Sequence, residues 1–327
     1  MLEYYKINMP LNLRQLLESF DDSDIPQYFK NANRNFNVKK FSNNESIFLL
    51  CNNFKKTYTN DLERECRSVV IEKIIVDDKV QLNIVACTHE SMLDECIDTF
   101  VFDTDLDTVE ELFEGTNVTV FFHKEQWHIC TTKCTDSYKS FFNKDKSYGQ
   151  MFDECLAKND TTREDFLKTL NKQHYYTFII IHHDNQHIID YTSKFGEKYA
   201  MLVLGSASTL YNCEPVISTI PNTFNPSILT ITDPNDKLPG IDGVICKRFD
   251  ETRNSYKVFR VLSSTTITSY ERKPNYHNKW LCLLQIFINN DPAYTIKTYM
   301  REYKIDDNLV LNGKNVDVVG MFFMLYK

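Results

Sequence analysis

The chain of 327 residues carries 45 acidic and 37 basic side chains, a net charge of −8, and only 8 glycines beside 23 Phe and 18 Tyr. With 42 % hydrophobic residues it can bury a substantial core, which excludes wholesale disorder, and its acidic balance argues against general coating of DNA. So little glycine leaves no G-x-G-x-x-G, no G-x-x-x-x-G-K-[ST] and no G-x-S-x-G, and the glycine-loop nucleotide folds and the nucleophile elbow lose their support.

In chain order, Leu11–Phe20 places Leu11, Leu13, Leu16, Leu17 and Phe20 at helical spacing after Pro10 and predicts an amphipathic helix. Glu45–Cys51 reads as a strand. The β-branched runs Arg67–Val76 and Lys79–Cys87, split by Asp77-Asp78, read as a hairpin. Thr104–Phe113 reads as a short acidic helix. Thr116–Phe122 and Gln126–Thr132, joined by His123-Lys124-Glu125, form a second expected hairpin. Helices are expected over Ser147–Lys158 and Thr162–Lys172, with Ser147 and Thr161 or Thr162 as N-caps. Strands are expected at Tyr176–His182, His187–Tyr191 and Ala200–Leu204. Five of the nine prolines fall between Pro215 and Pro239, which predicts a long surface connection. Gly243–Lys247 and Tyr256–Leu262 resume strand character, and helices are expected from Lys279 and over Thr295–Tyr303. Strands that pair mostly as hairpins point to an α+β fold with antiparallel sheets.

The ten cysteines are scattered, with no C-x-x-C pair and no leader ahead of them, so reduced thiols in a cytosolic protein are expected. No apolar run reaches the ~20 residues of a membrane span. His182-His183 and His187 flank Asp184-Asn185 and read as exposed turn histidines rather than metal ligands. Between Asp61 and Glu114 lie 16 acidic and 4 basic residues, a segment that reads as a partner surface or a solvated face. The best basic–aromatic stretch sets Lys133, Lys139, Lys144 and Lys146 among Tyr138, Phe141, Phe142 and Tyr148. Such a composition can stack bases and bind phosphates, or form a solvated face.

Four stretches carry a resemblance when read in order. They are Glu65–Ile71 (ECRSVVI); Glu114–Phe122 with Trp127–Thr132, Asp136–Phe141 and Lys146–Gly149; Phe178–Ile189; and Gly240–Lys247 (GIDGVICK) with Tyr256–Val261 and Arg272–Gln285. In this order and spacing the chain resembles the bacteriophage-type, ATP-dependent RNA ligases, particularly relatives encoded by large cytoplasmic DNA viruses. The resemblance covers roughly residues 45–300. It implies a nucleotidyltransferase fold with antiparallel sheets flanking a nucleotide cleft and a small helical C-terminal region. It also implies ATP and Mg2+ as cofactors and RNA as a partner. In that family a lysine attacks the α-phosphate of ATP, AMP passes to an RNA 5′-phosphate, and a 3′-hydroxyl displaces it.

Carried over position by position, the match is incomplete. The family's K-x-D-G has its glycine at Gly115, its acidic residue at Glu114 and, in place of the nucleophilic lysine, Leu112. The glutamate of the third motif falls at Ile179, after Phe178. The fourth motif's E-G becomes Asp242-Gly243, which implies Asp242 as a metal carboxylate. In the fifth motif Lys257 is kept, Phe259 stands at the second lysine and Arg260 one beyond. Arg67 keeps the arginine of the family's R-G, with Ser68 after it. A shifted alignment would offer Lys124 or Lys133 as the nucleophile. The implied site is therefore Arg67, Glu114, Gly115 and Gly243 around the nucleotide, with Asp242 and Lys257 as catalytic groups.

The expected organisation is a ligase-like domain over 1–270 and a helical extension over 271–327. The expected function is binding of a nucleotide or an RNA end, with covalent chemistry compromised by Leu112. The competing reading is a non-enzymatic RNA- or protein-binding protein, such as a virion assembly component, that reuses the fold. The family reading puts either in the cytoplasm, a viral factory or the virion.

Overall fold

The amphipathic run after Pro10 forms helix α1 (Leu11–Glu18), with Leu13 and Leu17 buried. In the computed structural model the described residues are 11–20, 24–52, 60–141, 146–185, 187–189, 191–250, 255–272, 279–292, 294–302, 308–311 and 314–317. Helix α2 (Ile25–Ala32) follows, its first turn capped by the Asp24 carboxylate, which accepts from the Gln27 amide. Strands β1 (Phe36–Phe41) and β2 (Asn44–Asn52), helix α3 (Asp61–Glu65), and strands β3 (Val69–Val76) and β4 (Lys79–Cys87) come next. The four strands make an antiparallel sheet in the order β1-β2-β3-β4. The turn between β3 and β4 holds Asp77 and Asp78 at φ 49° and 60°, the left-handed pair that a two-residue hairpin requires.

Strands β5 (Leu93–Cys96), β6 (Asp107–Glu111), β7 (Thr116–His123) and β8 (Gln126–Thr131) are followed by α4 (Tyr148–Ala157) and α5 (Arg163–Thr169). Ser147 and Gln150 close a reciprocal capping box on α4, and Thr162 caps α5. Then come β9 (His174–His182), α6 (Thr192–Phe195), β10 (Ala200–Thr209), β11 (Ile228–Leu229), β12 (Gly243–Asp250) and β13 (Ser255–Leu262). A second antiparallel sheet runs β10-β9-β7-β8, and a third runs β11-β6-β12-β13-β5, where only the β13–β5 ladder is parallel.

These elements belong to one compact unit, Met1–Asn185 with Tyr191–Ser263. One core joins α1 and α2 to the first sheet and takes in Phe121, Cys130 and Tyr175 of the second. Helices α4 and α5 cover the second sheet through Phe152, Phe166 and Phe178. The third sheet buries Val109, Val244, Cys246 and Val261 against Ile97, Phe100 and Phe102. The other unit, Gln186–Asp190 with Ser264–Lys327, contains α7 (Ser264–Arg272), α8 (Lys279–Asn289), α9 (Ile296–Glu302) and the hairpin β14 (Asn308–Leu311) with β15 (Lys314–Asp317). Its core includes Cys282, Leu283, Ile286 and Tyr299.

The architecture is α+β with antiparallel sheets, and two local expectations fail. Thr104–Phe113 contains strand β6 instead of a helix, because Val109 pairs opposite Cys246 of β12 and is buried there. Non-local pairing outweighs a local acidic pattern. Residues 187–189 form no strand.

His128 on β8 lies stacked on Phe121 with ring centroids 4.9 Å apart, and its Nε2 has no hydrogen-bond partner among the described residues. Burial, with the neighbouring His123 adding to it, pushes its pKa down to about 4 from an ordinary 6.5. Between those values the unfolded chain takes up a proton that the folded chain refuses, so stability rises with pH across that window. A gain on the order of 3 kcal/mol is expected between pH 4 and pH 6.5 from this group. Denaturant titrations at several pH values measure it, and His128→Phe should flatten the slope.

Candidate functional site

The four residues Leu112–Gly115 carry the chain from β6 of the third sheet to β7 of the second. Both ends of this crossing rest on a missing side chain. A Cβ on Gly115 would overlap the Ile180 carbonyl oxygen of β9 and lie 2.7 Å from Cγ2 of Ile179. A Cβ on Gly243 would lie 2.6 Å from the Val261 carbonyl oxygen and 3.1 Å from Cδ2 of Leu112. Leu112 is thus packed against Gly243, with 8 % of its surface exposed. Beside it Phe113 is buried against Phe224, and the Glu114 amide donates to the Tyr191 hydroxyl at 2.6 Å.

Strand alternation then defines a face. Gly243, Ile245 and Lys247 of β12 share it with Glu110 of β6 and with Arg260 and Leu262 of β13, through the pairs Gly243↔Leu262, Ile245↔Arg260 and Ile245↔Glu110. Lys247 Nζ meets Glu110 at 2.5 Å, and Arg260 makes a two-pronged pair with Asp94 of β5 at 2.7 and 2.8 Å. On the opposite face Arg248 grips Asp107 in the same two-pronged way at 2.7 and 2.8 Å. Burial alone would raise the Asp107 carboxyl, but the Arg248 fork outweighs it and holds the pKa below the ordinary range. The acidic segment thus supplies Asp94, Asp107 and Glu110 as counter-ions to the basic residues of β12 and β13.

Arg67, just ahead of β3, reaches His89, with Nη1 2.8 Å from Nε2 and 3.0 Å from Nδ1. The His89 Nδ1 lies 2.7 Å from the Glu90 carbonyl oxygen, which sets Nδ1 as the protonated nitrogen and Nε2 as the acceptor. Burial, then the Arg67 charge, push the His89 pKa well below its ordinary value against the Glu90 carbonyl, and the Lys247 charge adds to the effect. Lys247 and Arg67 therefore act on one imidazole. Behind this pair, α3 is fixed by buried polar contacts. Arg64 is ion-paired with Glu90, and the Glu65 carboxylate accepts from the Leu13 amide at 2.9 Å and from Asn12 at 2.9 Å.

The other expected residues are placed as follows. Asp242 is exposed, next to Gly243, and its carbonyl accepts from the Ser263 amide at 2.9 Å. Ile179 packs against Gly115. Lys257 pairs opposite Arg248, five positions along β13 from Leu262, and forms an ion pair with Asp250 at 3.0 Å. That offset is about 17 Å and puts Lys257 on the sheet face opposite to Gly243. Lys124 lies in the β7–β8 turn, roughly 30 Å along β7 from Gly115, with its Nζ 2.5 Å from Ser46 Oγ and 3.4 Å from Glu72. Lys133 follows β8 at the Gly115 end of the sheet, its carbonyl accepting from Lys39 at 2.6 Å. Burial lowers its pKa and Lys39 adds to that, while Cys51 opposes them. The fold thus gathers Arg67, Leu112, Gly243 and, unforeseen, His89, Glu110 and Lys247. Lys124 and Lys257 stand apart. The position of Lys247 is legible as Gly243 plus four on one strand; His89 has no local signal.

His182 is fully buried rather than exposed, with Nε2 2.8 Å from Glu154 of α4. Among the described residues, His182, His183 and Asp184 are the one group of three donors close enough for a metal. The atoms there are already engaged: Asp184 donates its amide to His182 Nδ1 at 3.1 Å, and Lys146 Nζ sits 2.6 Å from Asp184 and 2.9 Å from Glu154. Burial works against the Lys146 ammonium, but these two carboxylates raise its pKa, so a cation already occupies the position. Asp242 belongs to no such group among the described residues, and Ile179 offers no oxygen. Mg2+ is held by one or two carboxylates together with substrate phosphates and water, and Asp242 offers one exposed carboxylate of that kind beside Gly243.

No protein-family model matches the chain, and no curated protein matches it. Solved structures of ligases are similar to it in arrangement. An archaeal ATP-dependent RNA ligase is 13 % identical over 91 % of this chain and 78 % of its own, with a TM-score of 0.44. A second form of that archaeal enzyme gives 12 %, 91 %, 78 % and 0.42. A lysine-to-alanine variant of Naegleria gruberi RNA ligase, solved with ATP and Mn, gives 10 %, 72 %, 96 % and 0.36.

The crossing can be probed through its glycines. Gly115→Ala and Gly243→Ala each force a backbone shift and should cost roughly 1–3 kcal/mol. Gly205→Ala, whose Cβ would lie 3.3 Å from the Thr177 carbonyl, should cost less. Chemical denaturation of the three variants measures the order.

Proposed function

We propose that the chain is an RNA ligase-like nucleotidyltransferase-fold protein that binds a nucleotide or an RNA 5′ end without forming a covalent intermediate. The single observation that carries this reading is Leu112. By the motif order of the resemblance it takes the position of the family's nucleophilic lysine, and its hydrocarbon is packed against Gly243. Attack on an α-phosphate requires a lone pair on a neutral amine, and a leucine has none.

The binding half of the family's equipment is supported by Arg67 and Lys247. Arg67 offers a planar fork of donors suited to phosphate, and the imidazole of His89 beside it is kept neutral. Lys247 exchanges the Glu110 carboxylate for phosphate oxygens when a ligand arrives, and the lost ion pair offsets part of the gain. Such a site selects a phosphate-bearing ligand at modest affinity. Metal-dependent steps form no part of the proposal.

Calorimetric titration with ATP and with a 5′-phosphorylated oligoribonucleotide tests the reading. At least one should bind, and Arg67→Ala and Lys247→Ala should each weaken it about 10-fold or more, the worth of one charge-assisted hydrogen bond. Lys257→Ala should leave it unchanged. Absence of binding to both ligands by a folded chain would overturn the proposal.

A further inference from the structure

Cys87 closes β4, and Cys213 lies in the loop after β10. Their thiols are hydrogen-bonded, with sulfur atoms 3.5 Å apart, and the Cys87 sulfur is also 3.5 Å from the Tyr175 hydroxyl. Cys213 is buried, with 5 % exposed, while the residue Cys87 is half-buried. The loop is tied down on both sides. The Tyr211 amide donates to the Val85 carbonyl of β4 at 3.1 Å, and the Cys213 amide donates to the Thr209 carbonyl at 3.0 Å. The two backbones are therefore held at a fixed spacing, and bond formation needs the sulfurs to close by about 1.5 Å to reach ~2.05 Å.

We propose that Cys87 and Cys213 form a peroxide-sensitive dithiol that closes to an intrachain disulfide. Cys87 attacks one oxygen of hydrogen peroxide, the O–O bond breaks, and the products are Cys87 sulfenic acid and water. Cys213 then attacks the Cys87 sulfur; the S–O bond breaks, a second water leaves with the Cys213 proton, and the S–S bond remains. Two thiols are oxidised and one peroxide is reduced to two waters.

The order of attack has independent support. The hydrogen bond with Cys213 holds the Cys87 pKa below its ordinary value despite burial, whereas the same bond and burial push Cys213 well above it. The lower-pKa sulfur, on the less buried residue, is the nucleophile, and Cys213 resolves. Cys130 and Cys155 are buried with pKa values pushed up to about 12, which leaves them inert by comparison. Cys87 pairs opposite Val69 at the end of the β3–β4 ladder, and the next residue, Thr88, donates its amide to the Ser68 carbonyl at 3.0 Å. The couple thus sits directly behind Arg67 and His89. Oxidation would clamp the strand that presents His89 to the loop after β10.

The test uses the full wild-type chain. It is treated with hydrogen peroxide, alkylated under denaturing conditions and mapped as non-reduced peptides. A Cys87–Cys213 cross-linked peptide should dominate, with loss of two of the ten thiols and recovery by dithiothreitol. Cys213→Ser should stop at a Cys87 sulfenic acid, trapped by dimedone; if that variant does not fold, the wild-type map still decides. Cross-links spread over other pairs, or ten intact thiols under conditions that oxidise a control peptide dithiol, would overturn the proposal. None of these outcomes depends on nucleotide binding.

Discussion

The crossing at Leu112–Gly115 depends on Gly115 lying flat against the backbone of β9, where any side chain would overlap the Ile180 carbonyl. Because that approach is possible, β7 can pair with β9 through Thr116↔Ile180 while β6 pairs with β12 through Glu111↔Val244. Two sheets are joined by a four-residue link with no slack. Gly243 does the corresponding work on the other side, leaving room for Leu112 beside β13. A chain with only 8 glycines spends two of them here, and each is needed for close approach rather than for a positive φ.

The electrostatics follow from the same arrangement. Strands β5 and β6 come from the acidic segment, and the sheet places them on either side of the basic strands β12 and β13. Asp94, Asp107 and Glu110 then neutralise Arg260, Arg248 and Lys247. Much of the segment's charge is therefore consumed inside the fold. An anion that reaches the face of Lys247 and Arg260 must displace the Glu110 and Asp94 carboxylates, which favours a multiply charged ligand over a single phosphate. Arg67 differs from the others in its contact with an imidazole that burial keeps neutral.

The sequence made the hairpins, the capped helices and the long proline-rich connection legible, because β-branched alternation, Ser147 with Gln150 and clustered prolines are local signals. Strand β6 was hidden, since only the register with β12 turns Val109 inward. His182 reads as a turn histidine until α4 brings Glu154 over it. The candidate site was half legible. Leu112, Glu114, Gly115 and Gly243 follow from serial order, and Lys247 follows from its spacing to Gly243. Lys257 lies five positions along β13 from Leu262, and that odd offset sets both its distance from Gly243 and its place on the other face of the sheet. His89 carries no periodic or motif signal, and its role exists only through the end of the β3–β4 ladder.

The most direct measurement is the intact mass of the chain after incubation with ATP and a divalent cation, followed by acid denaturation. Under the proposed reading, which puts Leu112 in the place of the nucleophile, the mass should be unchanged at every pH tested, including in samples that calorimetry shows to be saturated with ligand. An added nucleoside monophosphate that survives denaturation would contradict the non-covalent reading, and its peptide would identify the lysine that performs the attack.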